Sequence, residues 1–129
     1  MRRFTLTVCL LLLLPFVVCA QSGRGWLRGE WAGKGYQSDD DSTWAMRLTV
    51  RRGRYVVEYP GLGCGGRWDP VSVSGGRAVF RERITKGAEK CAPRGNVVVE
   101  RLNSRQIGFW YSYRGSSEFV ASAILNRQR

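Results

Sequence analysis

From Gly29 onward the chain breaks into eight short runs of strand-type residues, set apart by turn signals so closely spaced that no long helix fits between them. The runs read as 29–37, 43–52, 55–59, 66–74, 77–85, 96–102, 106–113 and 118–126. Between them stand the acidic turn 38–42, Arg52-Gly53-Arg54, Pro60-Gly61-Leu62-Gly63, Gly75-Gly76, Pro93-Arg94-Gly95, Asn103-Ser104 and Arg114-Gly115-Ser116. Glycine supplies positive φ, proline presets it, and Asp, Asn and Ser bond their own backbone, so each cluster turns the chain for a physical reason.

Within the runs the apolar residues recur every second position. Trp44, Met46, Leu48 and Val50 alternate with Arg47, Thr49 and Arg51. Ile107, Phe109, Tyr111 and Tyr113 form a second stripe, and Phe119, Ala121, Ala123 and Leu125 a third. A strand points successive side chains to opposite faces, so period-two stripes on consecutive runs describe a sheet with one buried face. A helix is the alternative over the last run. Eight antiparallel strands with short connections form a meander, and closing it removes the exposed edges. The expected fold is therefore all-β, an eight-stranded antiparallel up-and-down barrel or strongly curled sheet with one disulfide. A two-sheet sandwich is the alternative.

The first twenty residues read as an export signal. Arg2 and Arg3 precede an apolar stretch, Leu6 to Val18, which falls short of the roughly 20 residues that span a bilayer. Val18-Cys19-Ala20 offers a cleavage site after Ala20. A retained membrane anchor, or a lipoprotein acylated at Cys19, are the alternatives. The expected organisation is a signal peptide at 1–20, a flexible lead at 21–28 and a single β domain at 29–126, with no transmembrane segment after cleavage. Loss of the two leading arginines takes the formal charge from +11 to +9. Localisation is expected to be periplasmic or secreted.

Cleavage leaves Cys64 and Cys91 as the mature cysteines, and in an oxidising compartment two cysteines are expected to pair. A hairpin turning at Gly75-Gly76 carries both to the same far end of the sheet.

The residues also bound the chemistry. The chain has no histidine, so Ser-His-Asp and Cys-His arrangements are absent. A zinc site would rest on carboxylates alone. Asp39-Asp40-Asp41 lacks the ligand spacing of a calcium loop and reads as a solvated hairpin tip. No catalytic residue, metal site or cofactor is expected. Glu82 falls on the apolar face with Ala78, Phe80 and Ile84, where a carboxylate must be hydrogen-bonded or paired. It reads as either a structural carboxylate held by an interior Arg, Tyr or Trp, or the polar anchor of a ligand cavity. Glu58 is the only strand carboxylate to consider as its partner. Trp44 and Tyr111 are candidate cavity walls, while Trp26 and Trp110 are candidates for exposed aromatic surface.

Two resemblances add to this. Gly29-Glu30-Trp31 with Gly33 and Gly35 resembles the opening strand of calycins, the lipocalin and avidin group of up-and-down barrels, in which the tryptophan packs at the barrel base. The stretch Tyr59 to Gly66, then Glu82-Arg83-Ile84-Thr85-Lys86-Gly87, then Cys91, resembles a small extracytoplasmic bacterial domain, found alone and on the outer portion of some bacterial serine/threonine kinases. That resemblance implies a Cys64–Cys91 bond and a structural place for Glu82, and names no ligand. The expected function is an exported, non-catalytic binding module. Its partner would be a small or anionic envelope ligand, with no nucleic acid, and the protein a monomer. The alternative is an inhibitor or interaction protein acting on a secreted or envelope enzyme.

Overall fold

A computed structural model describes residues 25–129, so the expected signal peptide and the first four residues of the expected lead lie outside the described residues. Eight strands follow in order: β1 Gly29–Gln37, β2 Ser42–Arg51, β3 Arg54–Tyr59, β4 Cys64–Val73, β5 Arg77–Lys86, β6 Arg94–Arg101, β7 Gln106–Tyr113 and β8 Ala121–Arg127. Each pairs antiparallel with the next, and β8 returns to β1 to close the barrel. Closure rules out the sandwich and leaves no sheet edge open.

The period-two stripes point inward. Trp44, Met46, Leu48 and Val50 are buried along β2, as are Ile107, Phe109 and Tyr111 along β7. Trp68 sits at the centre of the core. Its indole stacks on Phe109 with centroids 5.6 Å apart and tilts against Phe80 at 5.3 Å. No helix among the described residues is long and apolar enough to cross a membrane.

Several expectations change. The last strand begins at Ala121 and not at Glu118, and Phe119 is 49% exposed instead of continuing the inward stripe. The backbone of Val120 bonds to Tyr111 on one side and Ser38 on the other, which anchors the chain just before the strand and leaves Phe119 outside it. The described part of the expected flexible lead is also structured. Gly25–Leu27 forms a 3-10 turn, and Leu27 is fully buried beneath the barrel. Trp26, expected to be exposed, packs against the core and donates from Nε1 to the carbonyl of Ser74. The apolar pair Trp26-Leu27 caps an end that closure alone leaves open.

Trp31 and Arg127 lock this cap. Trp31 is buried at the base and donates from Nε1 to the Leu27 carbonyl at 2.9 Å. The Arg127 guanidinium lies 4.1 Å from the Trp31 ring centroid and donates to the carbonyls of Trp26, Arg28 and Ser104. Arg127→Ala is expected to cost about 2 kcal/mol, from the lost cation–π contact and charge-assisted hydrogen bonds. It should also speed hydrogen exchange at the Arg28 amide, which bonds to Gly25 O in the cap. Unchanged exchange there would mean that the cap holds without the arginine.

Candidate functional site

At the end opposite the cap the barrel is open, and a cavity of about 210 Å³ descends from the mouth. Trp44, Glu82 and Tyr111, the three residues singled out as ligand-binding candidates, all line it. Tyr59 and Phe109 complete its apolar walls, while Asp40 and Lys90 stand among its polar lining.

Strand register and two glycines arrange these walls. Trp44 is paired with Gly35, and its six-membered ring lies where a Gly35 side chain would begin, with a Cβ there only 2.3 Å from the ring. Tyr111 lies over Gly95 in the same way, at 2.2 Å. Any side chain at either position would drive the aromatic ring toward the cavity. Trp44 stands edge-on to Tyr59 at 5.4 Å and to Phe109 at 6.2 Å, as aromatic quadrupoles favour. Its Nε1 is buried and has no hydrogen-bond partner among the described residues.

Glu82 is 3% exposed, and the inward orientation expected for it is the one observed. Its Oε2 accepts from the Tyr59 hydroxyl at 2.5 Å and from Trp68 Nε1 at 2.8 Å. Among the described residues Oε1 receives no donor, and no arginine or lysine comes within ion-pair distance of the carboxylate. Glu58 alternates outward between the buried Val57 and Tyr59, so the two carboxyl groups occupy opposite faces of the wall.

Burial raises the Glu82 carboxyl above its ordinary range, against the opposing effect of the Tyr59 and Trp68 donors. Burial, and then the Glu82 charge, lift the Tyr59 hydroxyl well above the usual phenol value. The sign of the stability effect follows from linkage. At low pH Glu82 is protonated in both folded and unfolded chains and adds no pH dependence. Above its ordinary value of 4.5 the unfolded chain ionises first, folding takes up a proton, and stability falls until the raised folded value is passed. Glu82→Gln, which keeps an acceptor for both donors, is therefore expected to gain stability relative to the parent as pH rises from 4.5 toward neutrality. Urea unfolding of both proteins across that range checks this, and a constant difference between them would refute it.

Charge differs between the two ends. The mouth carries both signs, with Asp39, Asp40, Asp41, Glu89 and Glu118 beside Lys86, Lys90, Arg94 and Arg114. The capped end gathers arginines, among them Arg51, Arg52 and Arg54 around the β2–β3 turn, and Arg105 and Arg127 beyond it. The aspartates are tied in place: Tyr113 donates to Asp39 Oδ2 at 2.6 Å, Tyr36 to Asp41 Oδ1 at 2.9 Å, and Ser42 to Asp40 Oδ1. The bond to Asp39 pushes the Tyr113 hydroxyl up to about 12. Among the described residues, no group of three or more His, Cys, Asp or Glu is placed to hold a metal ion.

The Cys64–Cys91 disulfide, with Cα atoms 6.3 Å apart, ties the first residue of β4 to the loop after β5 at the rim. Cys91 itself lines the cavity. Sequence reasoning missed Tyr59 and Trp68 as the partners of Glu82. The stripe Tyr55, Val57, Tyr59 carried the signal for the first; the second depended on a register described below. Comparison with protein-family models, with curated proteins and with solved structures finds no match.

Proposed function

We propose that this protein is an exported, non-catalytic binding module that holds a small ligand in the mouth of its barrel. One observation carries the reading: a cavity with aromatic walls reaches a buried carboxylate that has an acceptor oxygen free among the described residues. Ligand sites have this character, a mostly apolar concavity with a few convergent polar groups. At about 210 Å³ it is smaller than the pockets of drug-sized molecules and larger than the roughly 150 Å³ cavity known to take a benzene ring. The disulfide supports an oxidising compartment. Glu58 lies on the outer wall, and Asp40, the other carboxylate lining the cavity, is bonded to Ser42 in the rim turn, which supports the non-catalytic part of the reading.

Native mass spectrometry of the protein released gently from its host tests the proposal. A co-purifying small mass that is absent from a Trp44→Ala variant is the expected result. A bare protein that captures a secreted enzyme through the Cys64–Cys91 loops would instead favour an inhibitor, a reading supported by the exposed Leu62 on that rim.

A further inference from the structure

Resting on the small-ligand reading above, we infer that the mouth cavity takes a small organic cation, with a primary ammonium group seated on Glu82 and its carbon skeleton against the aromatic walls. Two independent features converge on this class of ligand. The first is the missing counter-charge. Buried charges in proteins are paired or hydrogen-bonded throughout, because an isolated ion away from water is costly. Glu82 has neutral donors on one oxygen only, and no Lys or Arg of the described residues lies within ion-pair distance of it, although Arg81, Arg83, Arg94 and Arg114 line a second cavity that it also borders. Lys90 lines the cavity but does not serve, since its Nζ lies against Gly63 at the rim, 3.2 Å from where a Cβ of that residue would stand. An ammonium N–H is the donor Oε1 lacks.

The second feature is the wall. Trp44, Tyr59, Phe109 and Tyr111 line the same cavity as the carboxylate, and aromatic rings attract a desolvated cation through their negative faces.

The experiment compares charged and neutral isosteres on the purified protein. Phenethylamine and butylamine are titrated calorimetrically against phenethyl alcohol and butanol, with phenylacetate as the anionic counterpart. The cavity has room for a single ring with a short arm. At least one amine should bind about tenfold or more tightly than its alcohol, the worth of a charge-assisted hydrogen bond. Glu82→Gln should erase that preference while leaving the alcohol unaffected. Equal or tighter binding of the alcohol or of phenylacetate would overturn the cation assignment and leave the cavity a ligand site. Absence of binding by every probe, with the Trp44 indole N–H resonance unmoved, would overturn the cation assignment and count against the small-ligand reading too. The isostere comparison needs no variant, so the test survives if Glu82→Gln folds poorly.

Discussion

Trp68→Ala is expected to be the most damaging single substitution in the barrel, costing about 3–5 kcal/mol in urea unfolding. The indole is 2% exposed, stacked on Phe109 and tilted on Phe80, so truncation opens a void at the centre of the core. It also removes one of the two donors to Glu82 and so favours protonation of that carboxyl further. Trp68→Phe separates the two effects. It keeps an aromatic ring in the core and deletes only the Nε1 donor and some volume, and should cost about 1–2 kcal/mol. A loss from Trp68→Phe as large as that from Trp68→Ala would assign the stability to the hydrogen bond and not to packing.

Opening the Cys64–Cys91 bond is the second large effect. The bond closes a loop spanning 27 residues, for which the chain-entropy account gives about 3–4 kcal/mol. In a domain of this size that corresponds to a fall in Tm of roughly 15–25 °C. A Cys64→Ala/Cys91→Ala variant should show the loss in thermal unfolding, with a local signature in hydrogen exchange. Faster exchange is expected in the tethered rim segments, around Gly63 and Lys90, whose amides already bond only within their own turns. The base around Trp31 should keep its protection, since its contacts run through Leu27 and Arg127. A shift of only a few degrees would mean that the two rim loops hold each other without the covalent link.

Much of the fold was legible in the sequence because strand alternation and turn chemistry are local. β1 and β7 run over the residues their punctuation marks, and the stripe on β2 is buried as its period requires. Glu82 was legible as an inward carboxylate for the same reason. Its partners were harder to read because a one-residue bulge intervenes. Counting back from the Gly75-Gly76 turn, where Val73 pairs with Ala78, an unbroken hairpin sets Asp69 opposite Glu82. The irregularity between Pro70 and Ser72 leaves Val71 exposed and shifts the ladder by one, which brings Trp68 opposite Glu82 and turns Asp69 outward toward Arg83. Pro70 marks the place, since a proline within a paired strand is confined to such breaks or to edges. The cap was illegible for a different reason: Trp26 and Leu27 belong to no period, and only closure of the barrel creates the hole they fill.

The cap also settles how this molecule can be held. The chain enters the described domain at Gly25, beneath the barrel, and the last strand leaves beside it, where Arg127 grips the carbonyls of Trp26 and Arg28. Both ends of the described domain, Gly25 and the close of the last strand, therefore lie on the sealed side of the cup. A label or bead attached just past Arg127 sits below it and leaves the opening unobstructed, so immobilisation there presents every copy with the same accessible face.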